Sequence, residues 1–401
     1  EIAQCLVGSE MCIRDRVNDM LKYELKKYIL KPSLLICIIV LILLNFVKVF
    51  ELYYYTGGGR AVLSGNAVQG TDILYDKYSG KITDEKINGL KTELANAEQM
   101  LKEYGIIEEP IEGTYCGYPY GDVNLFKDLI SSYEYAILYS NKSAEITENA
   151  RANAEFYSDK CRYEYRLSKL YEDCYKGRSL DGYYQSEGHK AIFDYKFSAL
   201  LSMFIIVLAI SPIVSKEYVI GYNKLISSSG KRGSVMLAKL TAAAIFTFAV
   251  TLILFASDMV YFQLIYGFDG FSAPIYALQE FEMCPFNITL FGTLVITFVL
   301  RLVFLLMFTF LVTAVSSFCK NDIISMVVSV AAGFLLVIGS ELLPGVLNPT
   351  TLIGSTELFT NMNVCNILDL PVFNVVVTLS EVILLAVVFA VVSVRRGMKC
   401  C

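Results

Sequence analysis

Six blocks of apolar residues, each close to the length of a bilayer crossing, run along this chain, and one long polar stretch separates the first block from the other five. A hydrocarbon core about 30 Å thick takes about 20 mostly apolar residues as a helix. Ser33 to Phe50 is the first block, opened by Pro32, whose missing N–H is one that a helix start leaves unpaired anyway. Lys48 near its far end is long enough to snorkel to the headgroups. Phe197 to Val214, Leu237 to Phe255, Leu290 to Phe318, Ile323 to Leu342 and Val372 to Val394 follow. The pattern predicts an all-α polytopic membrane protein with six transmembrane helices.

Lysine and arginine set the orientation. Lys22, Lys26, Lys27 and Lys31 precede the first block. Lys216, Lys224, Lys231, Arg232 and Lys239 lie around the link between the second and third, and Arg395, Arg396 and Lys399 follow the sixth. The alternate links carry acids instead: Asp258, Asp269, Glu280 and Glu282 after the third block, Glu357 and Asp369 before the sixth. Both termini are therefore expected in the cytoplasm, in a cell (plasma) membrane.

The polar stretch from Tyr53 to Lys190 then falls outside, as a mostly helical extracytoplasmic insertion. Gly57-Gly58-Gly59 is a flexible exit from the membrane. Thr83 to Tyr104 reads as a helix, with T-D-E-K as N-cap and early acids and with Ile87, Leu90, Leu94 and Leu101 at helical spacing. Ile106 to Asp122, with its prolines and glycines, is a loop, and Val123 to Tyr175 reads as two or more further helices. The domains are accordingly 17–52 (an interfacial segment and the first helix), 53–190 (the insertion) and 191–401 (helices two to six with a cytoplasmic loop at 216–239).

Composition agrees: over 401 residues, 55% hydrophobic content and a mean hydropathy of +0.51 exclude an ordinary soluble enzyme. Residues 1–16, E-I-A-Q-C-L-V-G-S-E-M-C-I-R-D-R, resemble a translated sequencing adaptor and stay outside the fold argument, with natural sequence expected from near Val17 or Met20. On the oxidising side, Cys161 with Cys174, or Cys116 with either, are candidate disulfides, and free thiols are the alternative. One histidine and no C-x-x-C leave no metal site to expect.

Chemistry-bearing motifs are missing. S-S-S-G-K-R-G-S around Gly230 fails as a P-loop because residue 225 is leucine where the first glycine belongs. His189 has no second histidine for an H-E-x-x-H helix, and no G-x-S-x-G elbow occurs. The chain carries no engine of its own, so no enzyme is expected, and energy for active movement has to come from a partner or an ion gradient.

The segment Lys216 to Leu240, K-E-Y-V-I-G-Y-N-K-L-I-S-S-S-G-K-R-G-S-V-M-L-A-K-L, resembles the cytoplasmic loop of type-2 ABC exporter permeases. That family shows an acid, a glycine, a leucine, small residues, a basic residue and a lysine opening the next span. Glu217, Gly221, Leu225, Ser227 to Ser229, Arg232 and Lys239 stand in those places. A second acid and a proline usual in the family are absent, with Ser229-Gly230 in the proline region. The layout from Val17 onward also resembles the branch with a long outer domain between its first two spans. The resemblance implies a coupling helix, Glu217 to Leu225, that presents charge to an ATPase subunit; an ordinary positive-inside loop is the plainer reading of the same charges. It implies two permease copies, or one copy with a paralogue, two ATPase subunits, ATP bound by the partner alone, and short re-entrant helices within Glu341 to Leu370. Val17 to Leu30, with Met20, Leu21, Leu25 and Tyr28 on one side, suits an interfacial elbow helix on the lipid surface or a plain extension of the first span.

Arg301 and Glu381 lie near the middles of the fourth and sixth blocks at similar depth, and ionisable groups there are costly unless paired. They are expected to pair across the helix interface, or Arg301 to snorkel from a shifted fourth helix. The sequence reading is thus an ABC exporter permease for an amphiphilic, peptide or drug-like substrate, with membrane lipids and an ATPase as partners and no nucleic acid. Its rivals are a non-transporting sensor or anchor, a membrane enzyme lacking any nucleophile–base set, and a secondary transporter with no visible inverted repeat.

Overall fold

Each apolar block becomes a helix, and the helices outrun the blocks wherever a buried stripe continues into polar sequence. The computed structural model describes residues 20–29, 31–55, 67–106, 111–185, 187–222, 232–267, 269–340, 342–343 and 345–399. The adaptor-like 1–16, Gly57 to Gly59 and Leu225 with Ser227 to Ser229 lie outside the described residues. Among the described residues, six helical segments are long and apolar enough to cross a membrane: 32–54, 188–220, 232–265, 290–318, 322–340 and 374–397.

The first crossing is helix α1, Pro32–Tyr55, preceded by a helical turn at 20–24 and a π-helical turn at Leu25–Ile29. The second is broken twice, into α6 (Glu187–Asp194), α7 (Phe197–Ile210) and α8 (Pro212–Ile220). The rest are α9 (Arg232–Ile265), α10 (Leu290–Phe318), α11 (Asp322–Ser340) and α13 (Asn374–Lys399). Helix α10 packs against α7, α9, α11 and α13, and α1 lies on α7 and α9. Their shared core holds Ile205, Ile206, Ala242, Phe246, Phe304, Phe308 and Val382. Outward faces carry Ile36, Leu43, Val47, Phe334, Leu335, Leu384 and Val387, more than 40% exposed, as a lipid-facing surface requires. This is a multi-pass membrane protein.

Helix α9 runs to Ile265, past the predicted end at Phe255, because Leu254, Asp258 and Phe262 recur every fourth residue on one fully buried stripe. Asp258 is therefore not a loop acid, as its charge suggested, but sits inside the helix bundle.

The insertion is built on α4 (Pro119–Tyr157), which at 39 residues is about 58 Å long. Helix α2 (Ala67–Tyr78), α3 (Asp84–Tyr104) and α5 (Arg162–Tyr175) accompany it. Thr83 caps α3 as its sequence predicts, its side chain accepting from Lys86 N–H at 3.3 Å. Leu74, Tyr78, Leu90, Val123, Phe126, Leu129 and Tyr133 form its core. Two short strands, β1 (Gly80–Lys81) and β2 (Gly182–Tyr183), tie its two ends together.

The insertion is anchored to the segment between α9 and α10. Tyrosine hydroxyls donate to backbone carbonyls there: Tyr135 to Tyr276 at 2.7 Å, Tyr139 to Glu282 at 3.2 Å and Tyr175 to Met283 at 2.6 Å. Buried Arg178 lies between the Tyr175 and Tyr276 rings, 4.6 Å from each, and donates to the carbonyls of Cys284 and Pro285. The many tyrosines of this stretch thus serve as amphipathic pegs, a ring for the core and a hydroxyl for loop backbone.

Between α11 and α13 the chain makes two 3₁₀ turns (Gly345–Leu347 and Pro349–Leu352), a short α12 (Thr356–Thr360) and a hairpin of β3 (Val364–Ile367) with β4 (Leu370–Phe373). Leu352 and Ile353 reach the bundle core, so this link dips inward as tight turns where the resemblance implied re-entrant helices.

The Cys161–Cys174 pairing is corrected. Both thiols are free, as is that of Cys116. Cys161 is the N-cap of α5 and Cys174 lies almost at its far end, so the helix holds them about 20 Å apart. A disulfide needs Cα atoms within about 7 Å. In the folded protein in detergent, maleimide is expected to label exposed Cys161 readily. Cys284, fully buried and with its thiol pushed up to about 11 by burial, should react only after unfolding. A non-reducing gel on which the C161S/C174S double variant migrates differently from the parent chain counts against the free-thiol assignment.

Candidate functional site

At the face of the bundle where the described residues begin and end, four charges from three segments meet. Lys239, on the second turn of α9 and 2% exposed, donates to Glu217 Oε1 at 2.7 Å, Glu24 Oε2 at 3.3 Å and the Ile213 carbonyl at 2.7 Å. An ammonium has three N–H donors and each finds an acceptor, which is what allows it to be buried. Glu217, 5% exposed, also takes Lys27 at 3.2 Å. Two carboxylates and two ammoniums give a neutral cluster that ties the segment before α1 to α8 and to α9.

The expectation that Glu217 presents its charge to an outside partner is corrected by this geometry. The carboxylate is turned inward onto Lys239, since a buried cation leaves it no better position. Gly221 closes α8 in the left-handed region, φ +83°, where a Cβ would meet no atom within 4 Å. Glycine is needed there for backbone conformation, not for space. Arg232 opens α9. What this tip does expose is apolar: Val219 (59%), Ile220 (52%) and Tyr222 (42%), with Lys27 above the Tyr222 ring at 5.1 Å.

Helix α8 is also stitched to its neighbours across a kink. Pro212 has no N–H, and the carbonyl of Ser211 is taken by Ser316 Oγ of α10 at 2.6 Å and Ser325 Oγ of α11 at 2.7 Å. Ser316 Oγ in turn accepts from the N–H groups of Val214 and Ser215. Backbone groups disturbed by the proline are thereby satisfied inside the bundle.

Deeper in the bundle a second cluster holds Arg301, which is 2% exposed. Its Nη1 donates to Asp258 Oδ2 of α9 at 3.2 Å and to Ser198 Oγ of α7 at 2.8 Å. Its Nη2 donates to the Tyr195 carbonyl at 2.7 Å, where the break between α6 and α7 frees that oxygen. Asp258 accepts from Ser198 Oγ at 2.5 Å and from Asn45 Nδ2 of α1 at 2.6 Å, and Asn45 accepts from Tyr195 Oη at 2.8 Å. Four crossings converge on one ion pair. The proposed Arg301–Glu381 pair is thus corrected: Asp258 is the partner, because α9 is longer than its apolar core and brings the acid level with Arg301. Glu381 of α13 keeps an Oε2 with no hydrogen-bond partner among the described residues.

Two expectations follow. Arg301→Met and Asp258→Asn each leave a buried charge uncompensated and should cost about 3–5 kcal/mol, read as a fall in melting temperature in detergent. The pair Arg301→Met with Asp258→Leu should recover most of that loss, whereas Glu381→Gln should not alter the effect of Arg301→Met. At the other cluster, burial pushes the Glu24 carboxyl above its usual range, Lys239 pulls it back, and neighbouring Glu217 pushes it further up. A raised folded value means that protonation favours the fold, so the contribution is complete below about pH 4.5 and declines as pH rises through the folded value. Glu24→Gln should therefore flatten the fall of melting temperature above pH 4.5, and an unchanged slope contradicts the assignment.

In comparisons with known proteins the chain matches no family model, no curated protein and no solved structure, so a functional reading rests on the residues themselves.

Proposed function

We propose that this chain is the membrane-spanning subunit of an ATP-driven exporter and works with a separate ATPase subunit that docks on the tip of α8 and the linker to α9. The insertion then faces the extracytoplasmic side, both termini are cytoplasmic, and two permease subunits pass an amphiphilic, peptide or drug-like cargo between them. The observation that carries the reading is the way α8 is held. Ion pairs join it to α9 and to the segment before α1, and serine hydroxyls join its kink to α10 and α11. A displacement imposed on its exposed tip reaches four neighbouring segments as one rigid shift, which is what a subunit without an engine needs from its partner. Glu217 and Lys239 act in this scheme as positioning residues, and Val219, Ile220 and Tyr222 supply the apolar contact.

Affinity purification of the tagged chain in mild detergent tests the proposal. An ATPase with a P-loop should be recovered at near-equal stoichiometry and lost with Val219→Asp/Ile220→Asp, two exposed positions whose replacement leaves the core intact. Recovery of the chain alone, or with partners bound only to the insertion, overturns the exporter reading in favour of a sensor or anchor.

A further inference from the structure

On the insertion side of the bundle a cavity of about 250 Å³ lies between the segment before α10, the turns after α11 and the start of α13. Drug-sized pockets run to about 300–1,000 Å³, so this one suits one ring or one headgroup. Phe286 and Phe373 form its apolar wall, with ring centroids 5.0 Å apart and planes inclined at 48°. Asn361, Asn363, Asn374 and Thr378 add polar atoms, and Glu357 is the one charged residue of the lining among the described residues.

Two features point to a ligand of definite chemistry. Asn374 Oδ1 is a buried acceptor without a hydrogen-bond partner among the described residues. Such an atom costs free energy unless a donor reaches it. Glu357 is likewise without an ion pair among the described residues, although acids close by on the same face have theirs: Glu280 takes Lys190 and Glu282 takes Lys142. A carboxylate, an unsatisfied amide oxygen and two aromatic faces together accept N–H donors and positive charge and reject anions.

We propose that this cavity binds a primary ammonium group carried on a small apolar body, the ammonium on Glu357 and Asn374 and the body against Phe286 and Phe373. A free amine, a peptide N-terminus and an aminophospholipid headgroup share that chemistry. The cavity's use as a cargo subsite rests on the exporter reading, whereas the binding itself does not.

The probe is 2-phenylethylammonium, titrated calorimetrically into the purified full chain in detergent, with 3-phenyl-1-propanol as a neutral counterpart of similar shape. The amine should bind more tightly than the alcohol. Glu357→Gln, at an exposed position, should weaken the amine about tenfold and leave the alcohol and the melting temperature unchanged. Phe373→Ala should weaken both. Equal binding of the two probes, or an amine affinity within twofold after Glu357→Gln, overturns the proposal. Repeating the titration in nanodiscs separates the sources. Weaker amine binding in phosphatidylethanolamine than in phosphatidylcholine assigns the site to a lipid headgroup, and equal binding assigns it to a free amine or peptide, each supporting the ammonium site. Because ATPase recovery is read in a different experiment, loss of amine selectivity with the ATPase still bound removes the cavity proposal alone.

Discussion

The ion pair of Arg301 with Asp258 is the constraint around which the bundle is arranged. Neither charge is tolerable alone in an apolar interior, and the two come from different helices, α10 and α9. Their remaining hydrogen-bonding capacity recruits the others: Ser198 and the Tyr195 carbonyl beside α7, and Asn45 from α1. The register of four crossings is fixed at one depth because a slip of one turn, about 5.4 Å, would strip both charges of their partners. Hydrocarbon packing alone specifies such a register poorly, since lipid is as apolar as leucine.

The cluster around Lys239 applies the same physics at the other end with a different consequence. Its members sit near one end of the crossings, and three of its four charges lie outside α1 and α9, on the segment before α1 and on α8. The cluster therefore fastens the segment before α1 to α8 and α9 and makes α8 a rigid extension of the bundle. The kink at Pro212, resolved through Ser316 and Ser325, carries that rigidity into α10 and α11. One cluster thus sets helix register while the other joins a surface tip to the crossings.

The insertion meets the bundle by other means. Tyrosine and arginine side chains supply aromatic area and donors to the carbonyls of a segment whose own structure is two short 3₁₀ turns and an isolated β-bridge. This combination covers loop backbone without burying an unpaired polar group.

Much of this architecture was legible along the chain. Six crossings, a helical insertion after the first, the Thr83 cap and the helix that follows it depend on local hydropathy, periodicity and capping, which neighbouring residues settle among themselves. Partner choice was not legible in the same way. Asp258 was counted with the acids of the following link because the third block was ended at Phe255, although Leu254, Asp258 and Phe262 at four-residue spacing already carried the signal for a continuing helix. Glu381 seemed the natural mate for Arg301 by depth alone, and depth does not say which faces of two helices meet. Glu217 and Lys239 were recognised by position, yet that they face each other follows from the tertiary approach of α8 to the start of α9, which nothing local to either segment announces. Cysteine pairing likewise depended on whether Cys161 and Cys174 share one straight helix. The sequence by itself determined which segments are helical and which avoid water, because those properties are summed over adjacent residues. Only the tertiary structure decided which buried charge satisfies which, because that depends on the rotation and register of helices far apart in the chain.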